Sequence, residues 1–207
     1  MRGIIIRSQK EKMLAGDLYI AADAQLDADS KRARKLNRLF NATTEDGLDV
    51  RDKILRELIG EVGKNVYIEP PFHADYGLNT SIGDNFYANF DAIFVDDCPV
   101  KIGDNVMFGP RVSIYTAGHP IDATVRNEQL EYSQPITIGN NVWIGGNAVI
   151  NPGVTIGDNV VIGSGSIITH SIPDNVVAVG NPCHVLREIN EEDKAYWENK
   201  KKQYFEN

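Results

Sequence analysis

The sequence predicts a mainly β fold, a solenoid of short rungs behind a small helical cap, and three observations carry that reading. Isoleucines recur every six residues at Ile138, Ile144, Ile150, Ile156, Ile162 and Ile168. Gly139, Gly145, Gly157 and Gly163 directly follow four of them. Triplets of the Gly-Asp-Asn kind return at 63–65, 83–85, 103–105, 139–141 and 157–159. A fixed period is settled before any motif is interpreted, because it dictates the architecture.

Each triplet is predicted to be a corner, since Asn tolerates the left-handed backbone region better than other residues with a Cβ. A flat rung follows each corner. Val66, Tyr67 and Ile68, then Val106, Met107 and Phe108, Val142, Trp143 and Ile144, and Val160, Val161 and Ile162 alternate inward, outward, inward. Three six-residue rungs close one triangular coil of eighteen residues, the separation of Asn141 and Asn159. Asn65, Asn85 and Asn105 are spaced by twenty, so each of the two earlier coils should carry a two-residue bulge. Such a solenoid stacks aliphatic side chains in a column and hydrogen-bonds each rung to the next.

Ahead of the repeat, residues 8–60 read as helix, rich in Lys, Glu, Ala, Arg and Leu. Leu36, Leu39 and Phe40 fall at helical spacing, and a break is expected at 41–44. A second helix from about Leu48 to Ile59 places Ile54, Leu55, Leu58 and Ile59 on one face, with Gly60 and Gly63 as stop signals. The division expected is a cap at 1–60, the solenoid at 61–183 with an ejected loop at about 117–136, and a partly helical tail at 184–207.

The 207 residues, 42% of them apolar, suffice for one core. A net charge of −8 argues against a nucleic-acid surface, which needs Lys and Arg clustered over a face, and no nucleic-acid partner is expected. The Lys-containing stretch 194–202 reads as a solvated helix. Cys98 and Cys183 show no metal-ligand or redox-pair spacing, which fits reduced thiols in a cytoplasm. The isoleucine-rich residues 1–7 are too short for a signal segment or a membrane span, so no membrane association is expected.

Beyond the period, several segments occur in a set order: Glu-Lys-Met-Leu-Ala-Gly at 11–16, Pro-Pro-Phe-His-Ala-Asp-Tyr-Gly at 70–77, Tyr-Ala-Asn-Phe-Asp at 87–91, Thr-Ala-Gly-His-Pro at 116–120 and Gly-Asn-Pro at 180–182. Together with the repeat they resemble the maltose and galactoside O-acetyltransferases over roughly residues 8–190. That resemblance implies a left-handed parallel β-helix of hexapeptide repeats, a homotrimer with its active site between adjacent prisms, and transfer of acetyl from acetyl-coenzyme A to a hydroxyl of a sugar-like acceptor.

His119 is the outstanding candidate base. It stands where the six-residue pattern breaks, and a loop ejected from a rigid scaffold is a usual place for function. Its ordinary pKa lets it accept and return a proton near neutrality. In the resembled family the matching His is the general base, in direct transfer within a ternary complex that requires no metal. Asn89 matches the second catalytic position, where an amide orients an imidazole or polarises a carbonyl without titrating. Asp75, Tyr87, Glu131 and Asp23 match or neighbour acceptor-side positions, and Glu131 is alternatively a partner for the His119 imidazolium. The cap carries Ser30 where galactoside enzymes carry Arg. Trp143, Gly146, Ser164, Thr169 and Arg187 match positions lining the coenzyme A groove. His170 and His184 stand where relatives often carry cations.

Two readings of other classes stay open on the sequence: a non-catalytic β-helix scaffold or carbohydrate-binding protein, and a zinc enzyme resembling carbonic anhydrase. The second needs converging ligands, and His73, His119, His170 and His184 show no paired spacing.

Overall fold

The computed structural model describes residues 7–206; the isoleucine-rich start, residues 1–6, lies outside them. The chain winds as a parallel β-helix with three faces. The first face stacks Glu61–Val62, Thr80–Ile82, Val100–Ile102, Ile136–Ile138 and Thr155–Ile156. The second stacks Tyr67–Ile68, Tyr87–Ala88, Met107–Phe108, Trp143–Ile144, Val161–Ile162 and Val176–Val179, and is closed by the antiparallel His184–Glu188. The third stacks Phe72–Ala74, Ala92–Val95, Ser113–Tyr115, Val149–Ile150 and Ile167–Ile168.

All six isoleucines of the repeat are buried in one column, each worth about 1.5–3 kcal/mol of apolar burial. In the earlier coils aromatic rings fill the same space. Phe72 meets Phe94 edge-on at 5.0 Å, Phe94 meets Phe108 at 6.2 Å, and Phe108 meets Phe86 at 5.1 Å. Asn65, Asn85, Asn105, Asn141 and Asn159 all take positive φ at the corner between first and second faces, as their position in the repeat predicts. The amides also bond along the axis, Asn65 to Asn85 at 3.0 Å and Asn85 to Asn105 at 2.9 Å. The glycines that precede this corner answer a different demand. A Cβ on Gly103 would lie 2.6 Å from Asn140 Oδ1 and 2.8 Å from the Gly139 carbonyl carbon, so the next coil excludes any side chain there.

The anticipated bulges both fall in the corner between third and first faces. Ala74 to Ile82, and Phe94 to Ile102, each take eight residues where Ile150 to Ile156 takes six. The ejected loop leaves from the same corner. It is not structureless: Ala117–Gly118 pairs antiparallel with Leu130–Ser133 around a short helix, Ala123–Asn127, and that ribbon pairs in turn with Tyr19–Ile20.

The cap differs from a single long helical stretch. Helix α1 (Gln9–Leu14) stops at Gly16, which has φ +77°, and the chain runs extended through Tyr19–Ile20 before α2 (Ala24–Asn41) starts at its N-cap, Asp23. Helix α3 spans Leu48–Leu58. Leu36 and Phe40 are buried, but Leu39 is exposed. Across the open edge of the first coil, α2 acts as a substitute strand. The Asn37 amide donates to the Ala74 carbonyl and accepts from its N–H (2.7 and 3.2 Å); Asn41 does the same with Phe72 (2.9 and 2.8 Å). From α3, Arg56 donates to the Val62 and Gly63 carbonyls. The chain ends in α5 (Glu191–Glu206), which follows the short loop helix α4 (Ala123–Asn127) in order. Among the described residues no helix is long and apolar enough to cross a membrane.

Candidate active site

The corner that absorbs every insertion also gathers the acids. A cavity of about 580 Å³ opens there, walled by the start of α2 and by Asp75, Tyr76, Asp97 and Glu131. Asp23 and Asp27 line it from the cap, with Arg34 as the cation on the wall. One oxygen of Asp23 is committed as the helix N-cap, accepting from the Gln25 and Leu26 N–H groups at 2.9 and 3.2 Å. The Asp75 carboxyl is held above its ordinary range by the desolvating walls, opposed by Arg34 and reinforced by the Glu131 charge.

Sequence reasoning missed the group that ties two of these carboxylates together from behind the cavity wall. Tyr19, fully buried in the cap, places its hydroxyl 2.5 Å from Asp97 Oδ2 and 3.0 Å from Glu131 Oε2. A phenol has one proton to donate, so one of the two carboxylates is left underserved. The other Asp97 oxygen, Oδ1, is buried without any hydrogen-bond partner among the described residues. Burial pushes the Asp97 carboxyl up to about 6 against the lowering effect of the Tyr19 bond, and Asp75, Glu131 and Asp96 add to the rise. Asp96 is pushed to about 6 as well, by burial, although the Tyr76 and Gly77 N–H groups and the Thr80 hydroxyl all donate to it. The available signal was Asp96-Asp97 inside the inferred bulge; Tyr19 had none, since its neighbours read as helix.

His119 emerges directly after Ala117–Gly118. The ladder ends with Gly118 paired to Tyr132, so His119 follows the end of the ribbon on the side of Glu131, which itself pairs with Tyr19. Its imidazole is exposed and makes no hydrogen bond among the described residues; Glu131 is bonded to Tyr19 instead.

The remaining candidates occupy a different edge. Tyr87 and Trp143 project from the second face, Tyr87 stacked on Tyr67 at 6.2 Å and Trp143 exposed rather than packed into a rung. Burial raises the Tyr87 phenol, with Glu69 adding to it. Asn89, Gly146 and Ser164 follow at the corner between second and third faces. The Phe90 N–H fixes Asn89 Oδ1 at 2.8 Å, which leaves Nδ2 as the outward donor. Gly146 lies against Pro110, where a Cβ would sit 3.0 Å from its carbonyl oxygen, and its own N–H donates to no backbone carbonyl among the described residues. Thr169 follows the last rung of the third face, away from the acidic cavity, its hydroxyl 2.9 Å from His170 Nδ1. Arg187 is engaged bidentately by Asp193, at 2.6 and 2.8 Å. The sequence-predicted residues therefore form two half-sites at opposite ends of the third face. The six or so residues between them span roughly 20 Å in extended chain, so one chain does not bring His119 and Asn89 together.

Comparison with known proteins identifies the fold. Residues 12–63 match the maltose acetyltransferase hexapeptide capping motif, and residues 135–170 match the bacterial transferase hexapeptide of six repeats. The capped prism is thus of the hexapeptide-repeat transferase class. The galactoside O-acetyltransferase of Escherichia coli K12 is 49% identical over 187 residues, 90% of this chain and 92% of the relative. Among solved structures, a maltose O-acetyltransferase from Clostridium difficile 630 is 54% identical with a TM-score of 0.88, covering 89% of this chain and 98% of the other. A galactoside acetyltransferase in complex with coenzyme A is 48% identical with a TM-score of 0.89, covering 91% and 94%. The chain belongs to the maltose and galactoside O-acetyltransferase family and is an acetyl-coenzyme A-dependent O-acetyltransferase. The scaffold and carbonic anhydrase readings give way to that finding.

Proposed function

We propose that the chain acetylates a hydroxyl of a sugar or similarly hydroxylated small acceptor by direct transfer, with His119 as general base, in a cytoplasmic homotrimer whose sites form between copies. The observation that carries this is the acidic cavity with a buried Asp97 oxygen, unpartnered among the described residues, at the corner from which the His119 loop departs. Carboxylates are acceptors without protons of their own, so they suit a ligand made of hydroxyl donors. Asp75, Asp97 and Glu131 hold the acceptor in this reading, with Asp23 at the rim and Tyr87 reaching in from the neighbouring copy.

His119 takes the hydroxyl proton as the oxygen attacks the thioester carbonyl. The Gly146 N–H and Asn89 Nδ2 stabilise the tetrahedral oxyanion. Its collapse releases coenzyme A as the thiolate, which recovers the proton from the imidazolium. Trp143, Ser164 and Thr169 line the cofactor groove, and Arg187 reaches a phosphate only by releasing Asp193. Reacting atoms must approach to about 3–3.5 Å. Two half-sites at opposite ends of one face meet that demand when prisms stand side by side, which supports the trimer.

His119→Ala is expected to lower kcat by roughly 10²- to 10⁴-fold with the coenzyme A dissociation constant unchanged. Kinetics should be sequential, with no acetyl adduct by mass spectrometry. A variant that keeps most of its turnover would show that the base lies elsewhere.

A further inference from the structure

The acidic cavity does not end at Arg34. A second cavity of about 500 Å³ begins there, lined by Arg34, Asn37, Arg38, Asn41, Ala42 and His73. Asp23, Asp27, Ser30, Arg34 and Arg38 follow one another at three- or four-residue steps along α2, which is one face of a helix. The two cavities adjoin at Arg34 along that face, and the charge that lines them reverses there. From Asp27 to Arg38 the face runs about 16 Å, at about 1.5 Å per residue.

Among the described residues Arg34 is the arginine whose guanidinium makes neither a hydrogen bond nor an ion pair. Arg7, Arg56, Arg111 and Arg187 are paired with carboxylates. Arg32, Arg51 and Arg126 donate to carbonyls or hydroxyls. Arg38 gives one N–H to the Arg34 carbonyl. Asn37 and Asn41 are occupied with the first-coil strand, so the cavity beyond Arg34 presents cations and little else that is polar and free. In a chain of net charge −8, Arg34 acts on Asp75 only through space, and its N–H groups have no hydrogen-bond acceptor among the described residues, which leaves them available to a ligand.

We propose that this second cavity is a subsite for an anionic group on the acceptor, and that Arg34, backed by Arg38 and His73, determines specificity for acidic glycosides. The proposal rests on the acceptor reading above and narrows it. The reacting ring lies among the carboxylates, and a carboxylate, sulfate or phosphate farther along the acceptor meets the guanidinium fork. The acids repel the reverse orientation, so the charge reversal also fixes which end of the acceptor reaches the thioester.

Two matched acceptor pairs test this: maltose against maltobionate for a carboxylate, and trehalose against trehalose 6-phosphate for a phosphate. Coenzyme A release is followed for the wild type, Arg34→Gln and Arg34→Lys. At least one charged member should be preferred by about tenfold or more in kcat/KM, and 0.5 M salt should erode that preference. Arg34→Gln should abolish the charged-to-neutral ratio, and Arg34→Lys should restore part of it. Charged acceptors turned over no better than neutral ones, or an Arg34→Gln loss equal for both members, would overturn the proposal while leaving acetyl transfer intact. No release with any sugar would defeat the acceptor reading, and this subsite with it.

Discussion

Asp97 is a buried carboxyl with one oxygen bonded to Tyr19 and the other bonded to nothing among the described residues, in the company of Asp75, Asp96 and Glu131. Its ordinary value is 3.8 and its folded value about 6, so the folded chain binds the proton more tightly than the unfolded one. The stabilisation is complete below about pH 4 and is lost as pH rises through about 6. Asp97→Asn removes the charge and keeps the shape; it should stabilise the protein at pH 8 by about 2–3 kcal/mol. It should also flatten the fall in stability between pH 4 and 7. Identical pH profiles for variant and parent, read from urea midpoints, would contradict the assignment. The variant should bind acceptor less well, which separates stability from function. Of the site, the sequence exposed what sits in motifs or breaks a pattern, such as His119, Asn89 and Glu131. Tyr19 and Arg34 do neither; only the folding of the cap onto the ejected loop gives them their neighbours.

Period-six patterning made the prism legible because every rung repeats one physical demand: a buried aliphatic, an outward residue and a corner that tolerates positive φ. The cap offers no such redundancy. Its first segment has helical composition, and the interruption between α1 and α2 is imposed by Gly16, by the Asp23 cap and by pairing of Tyr19–Ile20 with Leu130–Ser133. Helical spacing set Leu39 beside Leu36 and Phe40 in what is α2, but it does not show that Leu39 is exposed or that Asn37 and Asn41 serve the first strand edge. Replacing both by Ala leaves N–H and C=O groups of Phe72 and Ala74 without partners. At about 1–3 kcal/mol for each buried group left unpaired, the double variant should lose several kcal/mol, measured as a lower urea midpoint with an unchanged slope. A loss under about 1 kcal/mol would mean that water replaces the amides.

At the scale of the whole molecule, the proposed division of the site between neighbouring copies would make activity a property of pairs. His119→Ala and Asn89→Ala chains, each nearly inactive alone, should complement one another when denatured, mixed equally and refolded. In the proposed trimer each site would draw one half from either neighbour, so random assembly should restore roughly a quarter of the sites. No recovery would place both residues in one chain's site. The amides of Asn37 and Asn41, the Arg56 guanidinium and the closing strand His184–Glu188 carry a further consequence. A stack of parallel strands with identical spacing is a short length of cross-β ladder, and an uncovered first coil would offer its backbone to the last coil of another molecule. The helical cap and the closing strand are, in that sense, chain terminators: they stop a polymer after one protein's length, and chains stripped of both should grow end to end into fibres.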